Sequence, residues 1–237
     1  MTTVSNYLKD DYTAPVPAQR RPASTSRTWA AVGVAAAVSA IVGIGASMGV
    51  DAAYDESVAG DPAGIVDRLS DQVPQLIVFH VATMIATVLL LVFAAGLKRR
   101  LEEQAPAGSL LPAVAASGLG LVSVAGLMGA GLNTEFIFGV GDPDAKLVPE
   151  VGVFFAHWVG TIGWLWVGAG VAGVALAVAA LKHAAAPRWI GWVSAVLGVI
   201  TLLFGISPLQ YMAGMTGPIW LLAVSLGFLL GDRAKPA

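Results

Sequence analysis

The sequence predicts an all-α polytopic membrane protein, and its composition and patterning both indicate this class. Of its 237 residues, 57% are hydrophobic and only 12% are charged, whereas soluble domains average about 45–50% apolar and about 25% charged residues. Six apolar runs reach the length of about 20 residues that a helix needs to cross a bilayer core. The net charge of −2 offers no basic surface for a nucleic acid. An ordinary soluble domain, a disordered chain and a nucleic-acid-binding protein are therefore excluded.

The two ends of the chain are predicted to be tails. Residues 1–27 are polar, contain Pro15, Pro17 and Pro22, and bring no apolar face that could form a core. Such a composition is typical of disorder, so we expect a disordered cytoplasmic tail. Residues 232–237 form a second, shorter cytoplasmic tail.

Residues 28–231 form the predicted transmembrane domain. Because lipid offers no hydrogen bonds, each backbone amide must be satisfied within its own segment, and the runs are predicted to be helices. The six helices cover approximately 28–50, 75–97, 109–132, 151–181, 188–206 and 210–231. We expect them to form one compact bundle, with the last two as antiparallel neighbours.

The lysines and arginines set the predicted orientation, because cytoplasmic segments carry an excess of them. With the N-terminus inside, the cytoplasmic tails and loops hold Lys9, Arg20, Arg21, Arg27, Lys98, Arg99, Arg100, Lys182, Arg188, Arg233 and Lys235. The outer side keeps only Arg68 and Lys146. We therefore expect a multi-pass protein of the inner (cytoplasmic) membrane, in contact with the lipid bilayer, with both termini cytoplasmic (N-in, C-in).

The first outer loop, about 51–74, is predicted to carry a short amphipathic helix. Apolar residues recur in it at helical spacing, and Asp61 followed by Pro62 is typical of a helix start. This helix would lie on the outer membrane surface or cap the bundle, with a lid over a binding site as the alternative.

Small residues are predicted to mediate helix packing, since close backbone approach drives association in lipid. In the fourth helix they fall along one stripe, formed by Ala156, Gly160, Gly163, Gly170 and Ala177. The stripe indicates tight packing within one chain, or else an interface in a homo-oligomer or a larger membrane complex.

Two histidines stand out, because ionisable groups inside a membrane are functional candidates by default. His80 and His157 each lie about two turns into a helix that runs inward, so similar depths in the outer half are expected. Polar or aromatic residues predicted to share this region are Thr83, Thr87, Asn133, Glu135, Glu150, Thr161 and Trp164. The sequence thus predicts a polar site in the outer-leaflet half that binds a small molecule, a lipid or a cofactor.

Several chemistries would use such a cluster. A haem b would take His80 and His157 as axial ligands, and a divalent metal would add Glu135 or Glu150 to them. An enzyme acting on an isoprenoid or lipid would use a buried Glu135 as general acid. Alternatively, the histidines bond ordinary neighbours and the protein is a structural subunit of a membrane complex. The chain has no cysteine, which excludes thiolate sites, and no specific catalytic motif selects among these functions.

The last two helices carry a recurring pattern of Trp, Pro and Gly. Residues 186–205 read APRWIGWVSAVLGVITLLFG, and residues 217–230 read GPIWLLAVSLGFLL. This pattern resembles a family of uncharacterised six-helix integral membrane proteins of bacteria, many of them actinobacterial. The resemblance implies an architecture and no activity, so no functional residue is carried over from it.

Overall fold

The computed structural model of the chain describes residues 27–140, 142, 144 and 147–231. In these residues all regular structure is helical, which confirms the all-α prediction. The α-helices are α1 (Thr28–Met48), α2 (Pro62–Ser70), α3 (Val73–Glu102), α4 (Leu111–Gly131), α5 (Asn133–Val140), α6 (Pro149–Val159), α7 (Val167–His183), α8 (Arg188–Ile206) and α9 (Ala213–Leu230). Short 3-10 turns lie at Ala52–Tyr54, Glu56–Val58, Ile162–Trp164 and Gln210–Met212. The predicted tails, apart from Arg27, lie outside the described residues.

Six helical segments of the described chain are long and apolar enough to cross a membrane, which confirms the predicted six-helix architecture. They are Thr28–Met48, Val73–Glu102, Leu111–Val140, Pro149–His183, Arg188–Ile206 and Gln210–Leu230. The third and fourth segments are each divided: the third consists of α4 and α5, and the fourth of α6 and α7.

The six spans form a closed ring in chain order. α1 packs against α3, α3 against α4, α4 against α7, α7 against α8 and α8 against α9, and α9 returns to α1. At the start of the ring, Arg27 Nη1 donates to the carbonyl oxygen of Leu229 at 3.0 Å and ties α1 to the end of α9. The larger of two hydrophobic clusters, rich in alanine, fills the interior and forms what we call the bundle core.

Glycines set the closest approaches between spans. A Cβ on Gly118 of α4 would collide with the carbonyl oxygen of Gly168 in α7, and a Cβ on Gly173 would meet the Cα of Gly198 in α8 at 2.7 Å. The backbones therefore touch on two sides of α7, as expected where no hydrophobic effect drives helices together.

A second structural unit, which we call the cap, covers the end of the ring opposite the described chain termini. It consists of residues 51–70, α5 and α6. Its own hydrophobic cluster, the cap core, includes Ile65, Leu69, Phe136 and Phe155, and the rings of Phe136 and Phe155 stack with centroids 4.1 Å apart. The predicted amphipathic helix is present as α2, which packs against α6.

The start of α2 follows the prediction from its sequence. The Asp61 carboxylate accepts a hydrogen bond from the backbone N–H of Ala63 at 3.1 Å, and Pro62 occupies the first turn. Such a cap satisfies one of the free N–H groups at a helix start.

Candidate functional site

The fourth span is interrupted where the cap meets the bundle, so the predicted continuous helix over 151–181 is wrong. α6 ends at Val159 and α7 begins at Val167. The hydroxyl of Thr161 bonds back to the carbonyl oxygen of His157 at 2.7 Å, and Gly160 allows close contact with Tyr54. Non-helical backbone at membrane depth is tolerated where protein surrounds it or where it lines a cavity.

The interrupted segment borders a cavity near the axis of the ring. Its free space for the centre of a water molecule is about 20 Å³. Its lining consists of Ala36, Ala40, Ile44, Thr83, Ala86, Thr87, Leu90, Val122, Gly126, Gly163, Trp166 and Leu221. The cavity is mostly apolar, and its side-chain hydroxyls belong to the two threonines.

The predicted pocket residues Thr83 and Thr87 are buried on one face of α3. Thr87 lies against α4, where a Cβ on Gly126 would meet its Oγ1 at 2.5 Å. Ser123 Oγ of α4 donates to the Thr87 carbonyl oxygen at 3.2 Å. Because His80 precedes Thr83 by three residues and Thr87 by seven, the three side chains share this face.

The register of α3 against α4 brings His80 to the level of Asn133. Thr87 of α3 is beside Gly126 of α4, and the two helices are antiparallel. His80 lies seven residues from Thr87 toward the cap, and Asn133 lies seven residues from Gly126 in the same direction. At about 1.5 Å per residue, both steps cover the same height, and α5, which begins at Asn133, packs against α3.

Buried polar atoms without partners meet at this level. Asn133 is fully buried, and neither its Oδ1 nor its Nδ2 has a hydrogen-bond partner; the buried Nδ1 of His80 has none either. Buried polar groups are nearly always hydrogen-bonded, and each exception requires an explanation. The structure therefore leaves Nδ1 of His80 and the side-chain amide of Asn133 unpaired at one level of the bundle, and a site that joins them to Thr83 and Thr87 stays a prediction.

His157 belongs to a different neighbourhood. Its Nδ1 lies 3.4 Å from the hydroxyl of Tyr54, and the two rings meet edge to face with centroids 5.3 Å apart. Burial of the Tyr54 hydroxyl and the nearby Tyr211 raise the pKa of Tyr54 above its ordinary value. The described side-chain contacts of His157 are thus with Tyr54, and a haem b held by both histidines stays a prediction.

His157, Thr161 and Trp164 do not lie on one helix face, because α6 ends at Val159. Trp164 turns inward, and its Nε1 donates to Ser47 Oγ of α1 at 2.8 Å. Gly214 of α9 packs against the same tryptophan. Trp164 thus fastens the interrupted segment to the ring.

The two candidate carboxylates are exposed. Glu135 lies on the outer side of α5, and Glu150 lies in the first turn of α6. The burial expected of Glu135 as a general acid is therefore lacking. Among residues 27–140, 142, 144 and 147–231, no group of three metal-ligating side chains comes together, so the geometry gives no support to a divalent-metal site.

Charged side chains of the cap form a separate network near its surface. Arg68 contacts Asp55 at 2.7 Å and Asp51 at 3.5 Å, and the amide of Gln72 donates to Asp51. Hydrogen bonds from Ser57, followed by the charge of Arg68, hold the pKa of Asp55 below its ordinary value. This network fastens residues 51–58 to α2. No sequence signal pointed to it, because its partners lie up to 21 residues apart.

No protein family, curated protein or solved structure that was compared with the chain matches it. The resemblance of the last two helices to a bacterial membrane-protein family therefore gains no support.

Proposed function

We propose that this integral membrane protein binds a small, uncharged, hydrogen-bonding molecule between α3 and α5, at His80 and Asn133. The observation that carries the proposal is the fully buried amide of Asn133, whose donor and acceptor both lack partners. Leaving such groups unpaired costs about 1–3 kcal/mol each. A ligand that offers one acceptor and one donor would remove this cost.

The chemistry of the surroundings supports an uncharged ligand. An amide offers one acceptor and two donors, and an imidazole adds two ring nitrogens. Glu135 and Glu150 are exposed and do not line this region. A buried ion without a counter-charge would be strongly unfavourable, whereas a neutral hydroxyl or amide would pair with the amide and the imidazole without that cost.

The proposed orientation places this site in the outer leaflet. The Lys and Arg distribution favours cytoplasmic termini, and the cap lies at the opposite end of the bundle. A ligand would then arrive from the outer side, beneath the cap.

The test is untargeted mass spectrometry of small molecules that co-purify with the wild-type protein and with Asn133→Leu. Leucine has a similar volume but forms no hydrogen bond, so we expect the bound compound to be lost. The thermal midpoint of ligand-free Asn133→Leu should equal or exceed that of the ligand-free wild type, because a buried unpaired amide is removed.

Ser194→Ala is the matched control. Ser194 is also fully buried and polar, but its hydroxyl accepts from Trp220 Nε1 at 3.1 Å, away from the site. This variant should lose stability and keep the compound. If Asn133→Leu retained the compound, or if the wild type carried none, the proposal would be wrong.

A further inference from the structure

We infer that one acyl chain of a bilayer glycerolipid occupies a groove between α4 and α8, with its ester carbonyl bonded to the side-chain amide of Gln210. The groove lies on the outside of the ring, at the start of α7, and its lining does not include His80 or Asn133. The inference therefore does not depend on the proposed function.

The groove is formed where the fourth span is interrupted. Its floor at the start of α7 is formed by Leu165 and Val167, and its sides are formed by Leu121 and Ala125 of α4 and by Gly205 near the end of α8. Its free space for the centre of a water molecule is about 120 Å³, against about 20 Å³ in the cavity near the ring axis. The groove is thus the larger of the two spaces.

The groove opens toward the bilayer. α7 lies between α4 and α8, and its span is the most buried of the six in the described chain. On the two sides of the groove, Leu121 is 52% exposed, and Ile206, next to Gly205, is 71% exposed. Both residues belong to spans that are long and apolar enough to cross a membrane. Because α7 is recessed between these spans, it leaves a groove in a surface that faces lipid.

An acyl chain is the occupant that this lining and these surroundings favour. The lining is predominantly apolar, and apolar cavities exclude water. An empty groove would forfeit the dispersion contacts of the atoms along its wall. Acyl chains are the apolar molecules that a bilayer supplies, and the lipid-facing surface of α4 continues into the groove at Leu121.

Gln210 provides the polar end of the site. It lines the groove, its side chain is exposed, and it begins the 3-10 turn Gln210–Met212. This turn packs against the turn Ile162–Trp164, on the cap side of the ring. The adjacent Tyr211 is exposed, and tyrosines are enriched at the membrane–water interface, where lipid ester groups lie. A glutamine amide can donate two hydrogen bonds, so an ester carbonyl is a suitable partner.

The lining also indicates which part of the lipid is recognised. Among the described residues, no charged side chain lines the groove. A charged headgroup would therefore find no counter-charge in it. The site is suited to the acyl chain and the ester, which all glycerol-ester lipids share, and not to one particular headgroup.

The experiment is photolabelling of the full chain in phosphatidylcholine nanodiscs. The probe is a phosphatidylcholine with a diazirine in one acyl chain, and tandem mass spectrometry locates the adducts. The reference is Leu203, which is 58% exposed and lies two residues before Gly205, on the opposite side of α8. We expect about five times more adduct at Ala125 and Val167 than at Leu203, the ratio that a preference of about 1 kcal/mol gives. Equal labelling of these positions would overturn the inference, and so would an unlabelled groove, which is the result expected if a second copy of the chain covered it.

A pair of variants tests the groove itself. Ala125→Phe fills it from the side of α4, whereas Val124→Phe places the same ring at a neighbouring position that is 53% exposed and outside the lining. Labelling of Val167 should fall to the level of Leu203 in Ala125→Phe and should remain high in Val124→Phe. Persistent labelling in Ala125→Phe, or equal loss in both variants, would contradict the inference.

A second probe tests the bond to Gln210. It carries the same diazirine chain on an ether linkage, which lacks the ester carbonyl. We expect the ester probe to label Val167 about three times more than the ether probe, as one hydrogen bond of ordinary strength allows. In Gln210→Leu the two probes should label equally. Equal labelling already in the wild type, or a preference that survives in Gln210→Leu, would refute the bond and with it the assigned class of lipid.

Discussion

The bundle core and the cap core are built from different residues, although they are parts of one chain. The bundle core consists largely of alanines, and glycine contacts bring its helices together. The cap core uses fewer, larger side chains, among them Phe79, Phe136 and Phe155. Close backbone approach stabilises helix association in lipid, and the bundle core is built in this way. The cap core depends instead on packing between large side chains, including the stacked rings of Phe136 and Phe155.

The largest expected effect concerns the cap. Phe155→Ala removes a fully buried ring stacked on Phe136, and core substitutions of this kind cost about 3–5 kcal/mol. We expect backbone amides of α2 and α6 to lose protection in hydrogen–deuterium exchange while α8 keeps its protection. Phe138→Ala, at an exposed position of the same cap, is the control and should change little. Equal loss of protection in α8 would mean that the two cores unfold as one unit.

A smaller effect is expected where backbones touch in the bundle. Gly118→Ala places a methyl group against the Gly168 carbonyl, and overpacking of this kind costs about 1–3 kcal/mol. The free energy of unfolding, measured in detergent, should fall by this amount.

The control for Gly118→Ala is Gly120→Ala, because the added methyl group on that face of α4 meets open space. This variant should be as stable as the wild type or slightly more stable, since alanine favours helix. A comparable loss in both variants would show that helix propensity, and not the glycine contact, limits stability.

The smallest effect is a pH response confined to the cap. The pKa of Asp55 is lowered by its hydrogen bonds from Ser57 and by Arg68. Its carboxylate therefore stabilises the cap above the unfolded-state pKa, and this contribution is lost as the pH falls through the lower folded-state pKa. On acidification the methyl NMR signals of Ile65 in α2 should broaden before those of Ile190 in the bundle. Asp55→Asn should remove this difference between Ile65 and Ile190. If the difference persisted in this variant, a group other than Asp55 would be its cause.

The sequence predicted the six spans from the length of their apolar runs. It predicted α2 from Asp61-Pro62 and from the helical spacing of the apolar residues in the first outer loop. Both patterns are local in sequence. It did not predict the interruption at Gly160–Trp166. Hydropathy is continuous there, and the helix ends through contacts with Tyr54, Phe79 and Gly129, which are distant in sequence. Two glycines and a threonine within four residues, 160–163, were the local signal available.

The candidate site stays a prediction. Because α3 is continuous over Val73–Glu102, the spacing of His80, Thr83 and Thr87 puts them on one face of it. The pairing of His157 with Tyr54 joins residues 103 positions apart, which no pattern on α6 could show. The exposure of Glu135 follows from the separate helix that starts at Asn133, where a continuous third helix was expected to end.

The interrupted fourth span has a further consequence for how the chain crosses the membrane. α7 has 17 helical residues, about 25 Å at 1.5 Å per residue, against a hydrocarbon thickness of about 30 Å. The whole span, Pro149–His183, has 35 residues, so α6 and the interrupted segment complete the crossing that α7 does not reach alone. The backbone between α6 and α7 therefore depends on the surrounding protein, because lipid offers it no hydrogen bonds.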